Sequence, residues 1–177
     1  MRVLAIAGSL RAASYNRGLL RAAQEVALEG MQVELWEHLA AIPPYNGDVE
    51  AQGDPEPVAA LKAAIRAADA LLIATPEYNW GVPGVLKNAL DWASRPALGS
   101  PLAGKLVGIV GASTGQGGTA KAQTQLRDAL GFPRARVLSG DAIQVAEAYR
   151  HFDADGNLVD DALRRRLQTL LERLREG

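Results

Sequence analysis

Three short apolar runs constrain this chain more than any other feature. Arg2–Ala7, Asp69–Thr75 and Lys105–Gly111 are nearly continuous in small and aliphatic side chains, without the alternation of a strand that has one wet face. Strands of that kind belong in a parallel sheet covered on both sides. Met31–Glu37 and Arg136–Val145 read as two further strands. Between the five lie helical patterns near Asn16–Glu29, Pro57–Ala68, Val82–Ala93 and Gly118–Gly131. A last helix near Leu158–Arg175 carries Leu163, Leu167, Leu170, Leu171 and Leu174 on one stripe. Strand alternating with helix means βαβ units. The expected fold is therefore α/β: a doubly wound five-stranded parallel sheet in the order 2-1-3-4-5, with helices on both faces.

That is the flavodoxin-like order, and 177 residues fit it as a single domain, 1–177. Pro43-Pro44 and the polar stretch Gly47–Pro57 read as one long loop. Composition removes several function classes. The formal net charge of −1 gives no electrostatic grip on nucleic acid or an anionic membrane, and it is far from that of an acidic electron carrier. The absence of cysteine excludes disulfides, thiolate nucleophiles and Cys-ligated metal centres. His38 and His151 show no metal-ligand spacing. The apolar run after Met1-Arg2 is too short for a signal peptide, and no run reaches the roughly 18 residues of a membrane span. A cytoplasmic location is the expectation.

In an open α/β sheet, ligands bind beyond the carboxyl ends of the strands. Three segments fall there. The first, Gly8-Ser9-Leu10-Arg11-Ala12-Ala13-Ser14-Tyr15-Asn16, leads from strand to helix. Free backbone N–H groups and the helix dipole favour an anion there. Ser9, Ser14 and Asn16 add donors, and Arg11 adds a charge suited to phosphate. The alternative is a polar turn with Asn16 as N-cap. No Gly-Lys-Ser/Thr is present, so this is not a nucleotide-hydrolysing P-loop. The second segment, Pro76-Glu77-Tyr78-Asn79-Trp80-Gly81-Val82-Pro83-Gly84, is stiffened by proline, opened by glycine and offers aromatic surface. In the helix after it, Trp92 reads as lying off the core stripe, as either a lid on the domain edge or a subunit-contact anchor.

The third segment, Gly111-Ala112-Ser113-Thr114-Gly115-Gln116-Gly117-Gly118-Thr119-Ala120, has three readings. Gly115, Gly117 and Ala120 fit a dinucleotide fingerprint, but after the fourth strand rather than the first. Gly111-x-Ser113-x-Gly115, followed by Asp141 and His151, fits a hydrolase nucleophile elbow. A helix should then start directly after the serine, and no HGGG-type oxyanion segment is present. The third reading is a glycine-rich wall of backbone N–H groups facing a planar ligand.

Together these segments resemble the NAD(P)H-dependent FMN reductase family, which includes quinone, chromate and azo-compound reductases. The resemblance rests on Gly8-Ser9-Leu10-Arg11 with Ser14-Tyr15-Asn16. It rests further on Pro76-Glu77-Tyr78-Asn79 running into Pro83-Gly84-Val85-Leu86-Lys87-Asn88-Ala89-Leu90-Asp91-Trp92, and on the third loop with Ala122-Gln123 and Leu126-Arg127. It implies that Ser9, Arg11, Ser14 and Asn16 hold an FMN phosphate. Pro76, Glu77, Tyr78 and Asn79 would run along the isoalloxazine, and Ser113 and Gly115 would approach its pyrimidine edge. It also implies a homodimer or homotetramer with Lys87, Asp91 and Trp92 near the interface. The position of Trp80 varies within the family, and the expectation is only that Trp80 shapes the substrate side.

The activity so implied is a hydride moved from NAD(P)H to bound FMN and on to a small acceptor, by ping-pong turnover without a catalytic side chain. Rival readings are a non-enzymatic electron carrier and a serine hydrolase using Ser113. A phosphorylated receiver domain would need acidic residues where Gly8–Arg11 stands. The acceptor, and NADH against NADPH, stay open.

Overall fold

The computed structural model describes residues 1–95, 99–140 and 142–177. The strands are β1 (Arg2–Ala7), β2 (Gln32–Trp36), β3 (Ala70–Ala74), β4 (Leu106–Ala112), β5 (Arg136–Val137) and β6 (Ile143–Val145). The helices are α1 (Tyr15–Glu25), α2 (Gly47–Glu50), α3 (Glu56–Ala67), α4 (Gly84–Ala93), α5 (Ala120–Gly131) and α6 (Asp161–Glu176). All strand pairs are parallel, in the order β2-β1-β3-β4-β5, with β6 also paired to β4. The doubly wound, flavodoxin-like sheet is thus observed.

Because side chains alternate along a strand, each apolar run feeds two cores. Val3, Ala5, Leu72 and Val110 face α1 and α6, packing on Leu19, Leu20, Leu167 and Leu171. Leu4, Ile6, Leu71, Ile73, Val107 and Ile109 face α3, α4 and α5, packing on Leu61, Leu86, Trp92 and Leu126. Double-sided burial is the physical reason why the central strands carry no polar alternation.

Two expectations need correction. The single strand Arg136–Val145 is two short strands, β5 and β6, because Gly140 takes φ +96° and leaves extended backbone. Arginine side chains serve carbonyls of this break: Arg127 donates to Leu138 O at 2.8 Å, Arg166 to Ala142 O at 3.1 Å, and Arg173 to Ser139 O. The long loop Gly47–Pro57 contains the one-turn helix α2, capped by Asn46, and the start of α3.

Trp92 also departs from its expected place. It is fully buried, its Nε1 donates to Pro43 O at 2.8 Å, and its ring meets Tyr45 edge-on at 5.0 Å. Asn88, one turn earlier, donates to the same carbonyl at 2.9 Å and accepts from Tyr45 N at 2.8 Å. This face of α4 reads as polar in sequence, yet it clamps the Pro43–Tyr45 segment of its own chain. Trp92 is neither a lid nor a subunit anchor.

Among the described residues, no helix is long and apolar enough to cross a membrane.

Candidate functional site

The β1–α1, β3–α4 and β4–α5 loops leave the carboxyl ends of adjacent strands, so the parallel sheet itself brings them together. They enclose an open groove of about 220 Å³. Ser9, Arg11, Ser14 and Asn16 line it from the first loop, Pro76, Glu77 and Tyr78 from the second, and Ser113 from the third. Asn79 and Gly115 do not line it. Tyr15, Ala112 and Thr114 also line it; they stand within the first and third segments, but residue type alone gives them no role there, since each looks like an ordinary helix, strand or turn residue. A larger cavity, about 360 Å³, lies elsewhere, between α6 and Ile143.

The first loop is built around the start of α1. Ser14, not Asn16, is the N-cap, with extended backbone (φ −79°, ψ 129°) and its Oγ accepting from Asn16 N at 3.2 Å. Because the Ser14 oxygen accepts, its own hydrogen is free for another acceptor. Ser9 is buried, with Tyr78 Oη approaching its Oγ at 3.5 Å. Arg11 is exposed and has no carboxylate within ion-pair distance among the described residues. Two hydroxyls, one uncommitted guanidinium and a helix N-terminus therefore border one end of the groove, a donor set suited to a phosphate group.

Asn16 has a task that sequence does not reveal. Its Oδ1 accepts from Ala112 N and its Nδ2 donates to Ala112 O, both at 2.9 Å and buried. The last β3–β4 bond is Thr75 N to Val110 O. Beyond it β3 has ended, and the Asn16 amide stands in for the missing peptide partner. A single side-chain N–H remains for any ligand.

The second loop is docked on α5. Glu77 Oε2 accepts from Ala122 N at 2.9 Å, placing a carboxylate on the first turn of a helix, where the dipole favours it. Gln125 Oε1 accepts from Val82 N at 2.7 Å. Between these anchors Tyr78 and Gly81 exchange both backbone bonds across the two-residue turn Asn79-Trp80. In the third loop Ser113 Oγ accepts from Gly115 N at 3.1 Å, and the loop backbone is tied to Val145, Glu147 and Ala148. Gly111 has no room for a side chain, since a Cβ there would stand 2.4 Å from Thr75 O and 2.1 Å from Thr119 Oγ1.

The hydrolase constellation does not assemble among the described residues. His151 Nδ1 pairs at 2.7 Å with Asp160, while Asp141 lies outside the described residues. Helix α5 starts at Ala120, seven positions after Ser113, so no strand–turn–helix elbow is present. Asp160 caps α6, and its carboxyl is held below the usual range first by the Leu163 amide and then by His151.

Residues 1–150 match the family model described as NADPH-dependent FMN reductase. The chain belongs to this family. It is 47% identical over 174 residues to an NAD(P)H-dependent FMN reductase of Pseudomonas aeruginosa, covering 98% of this chain and 93% of that one. It is 37% identical over 173 residues to a 2-hydroxy-1,4-benzoquinone reductase of a Burkholderia species, at 98% and 93% coverage. Among solved structures it superposes with TM-score 0.87 on FerB, a flavoenzyme NAD(P)H:(acceptor) oxidoreductase from Paracoccus denitrificans. The two chains are 34% identical, with 99% and 95% coverage.

Proposed function

We propose that the groove holds FMN and that the protein is an NAD(P)H-dependent oxidoreductase passing hydride to a small acceptor such as a quinone. The observation that carries this is the phosphate-type donor set of Ser9, Arg11 and Ser14 at the start of α1, opening into a groove walled by Tyr78 and Ser113. The family membership and the reductase relatives support it. When bound, FMN would supply the two-electron redox chemistry between a nicotinamide donor and the acceptor.

The chain's own part is to bind and orient. Ser9 and Ser14 donate hydroxyl hydrogens to the phosphate and Arg11 supplies the charge. Asn16 contributes its one remaining N–H while holding the end of β4. Glu77, locked to α5, fixes the path of Pro76–Asn79 along the ring. Ser113, whose oxygen is occupied by Gly115 N, keeps its hydrogen free for a ring acceptor. Gly115 holds that hydroxyl in place. The groove is open on one side, so donor and acceptor would use it in turn, which is ping-pong turnover. Azo compounds, chromate and free flavin belong to the same acceptor range.

The same reading includes a cytoplasmic homodimer or homotetramer. Phe132, 67% exposed beside Leu90 and Asp91, supports a contact along α4.

The test is the visible spectrum of protein reconstituted with FMN and desalted, followed by NADH or NADPH under nitrogen. Flavin bands that stay with the protein, bleach with nucleotide and return with a quinone are expected. Bands that neither nucleotide bleaches would mean an electron carrier. No retained flavin would sink the proposal.

A further inference from the structure

Trp80 occupies a position that stability does not favour. Asn79 and Trp80 are the two central residues of the hairpin turn closed by Tyr78 and Gly81, and both have positive φ, +49° and +65°. Such a turn fits Asn followed by Gly, whereas a bulky side chain is strained in the left-handed region. The indole is also 73% exposed, so burial gives no compensation. A large aromatic residue that is strained and exposed in a site loop points to function rather than folding.

Lys121, on the first turn of α5, sets the ring. Its Nζ lies 3.7 Å from the indole centroid, a cation–π contact. Lys121 is itself exposed and has no carboxylate within ion-pair distance among the described residues. The turn cannot drift from the lysine, because Glu77 and Val82, on either side of it, are bonded to Ala122 and Gln125 of the same helix. An aromatic face and an uncompensated positive charge are thus presented together beside the loop that lines the groove.

We infer that Trp80 and Lys121 form a specificity subsite for a flat aromatic ring that carries an anionic group. Trp80 stacks on the ring through the indole face opposite Lys121, and Lys121, over the other face, positions the indole and adds the attraction for the charge. The inference rests on the reductase reading above. Two sources share this chemistry: an acidic quinone-type acceptor, and the adenosine phosphate half of NADPH.

The test uses FMN-reconstituted protein as wild type, Trp80→Gly and Lys121→Gln. Glycine suits the turn, so loss of the indole should not lower the melting temperature. Calorimetric binding of the redox-inert probes naphthalene-2-sulfonate and naphthalene-2-sulfonamide separates ring from charge. Trp80→Gly is expected to weaken both about tenfold, in line with the worth of aromatic stacking. Lys121→Gln is expected to weaken the sulfonate about fivefold and to erase its advantage over the sulfonamide.

The source is then read from KM values. A rise for 1,2-naphthoquinone-4-sulfonate assigns the subsite to the acceptor, and a rise for NADPH without one for NADH assigns it to the donor. Wild-type probe binding in both variants would overturn the inference. Flavin retention is scored on the same samples: its absence in wild type defeats the FMN reading, whereas flavin-loaded protein indifferent to Trp80 and Lys121 defeats only this one.

Discussion

Replacing Asn16 by alanine removes a partner from both polar groups of Ala112 at once. The two bonds are 2.9 Å long and buried, and stranding each buried backbone group costs about 1–3 kcal/mol. Alanine is the better helix former by about 0.7 kcal/mol at most, which offsets little. A net loss of about 3 kcal/mol follows, a large part of the roughly 5–15 kcal/mol that holds a domain together. With a urea m-value of about 2 kcal/mol/M, the unfolding midpoint should fall by about 1.5 M.

Asn16→Asp sharpens the reasoning. A protonated carboxyl offers one donor and one acceptor, the same pair that the amide uses on Ala112, so it can serve both groups, whereas the carboxylate meets Ala112 O with like polarity. The folded-state pKa of the introduced carboxyl should therefore lie above its unfolded value. Its contribution is then full below the unfolded pKa and lost as pH rises through the folded one. The variant should be nearer wild type at pH 4 than at pH 7 in urea melts. A midpoint shift below about 0.5 M for Asn16→Ala, equal to about 1 kcal/mol, would refute the account. So would an aspartate variant whose deficit does not shrink in acid.

Four further outcomes are expected. Arg11→Ala should leave the unfolding midpoint unchanged, since Arg11 is exposed, and weaken FMN about 10- to 100-fold in fluorescence titration, the worth of a charged hydrogen bond. Gly18→Ala should destabilise by about 1–3 kcal/mol in urea melts, because its Cβ would lie 2.0 Å from the carbonyl oxygen of Gly156. Trp92→Phe should cost about 1–2 kcal/mol through the space left by the smaller ring and the loss of one of the two hydrogen bonds to Pro43 O, Asn88 keeping the other, and leave the sedimentation coefficient unchanged, since Trp92 is buried within its own chain. Asp160 has a lowered pKa, so its contribution is present above the ordinary carboxyl value of 3.8 and lost as pH falls through the lower folded one. Wild type should accordingly lose more stability than Asp160→Asn between pH 4 and 2, as read by thermal melts.

Local patterning in the chain was enough to place the sheet and the neighbourhood of the site. Arg2–Ala7, Asp69–Thr75 and Lys105–Gly111 lack polar alternation because both faces are covered, and that signal is local to each run. Once the strands are parallel and doubly wound, the loops that follow them must meet at one edge, so Ser9, Arg11, Tyr78 and Ser113 converge without any long-range information. Family motifs in the same loops pointed to the same place.

What individual side chains do there depends on contacts made by the assembled fold. Asn16 reads as a cap or a phosphate donor, yet it closes the end of β4, 96 positions away. Trp92 reads as off the core stripe, yet it is buried, because Pro43 and Tyr45 fold over that face of α4. The break between β5 and β6 depends on how the chain turns at Gly140. Periodicity reports which face of an element is dry, but a hydrogen-bond partner is chosen by where distant backbone runs out of ladder. That choice exists only when the whole sheet is assembled.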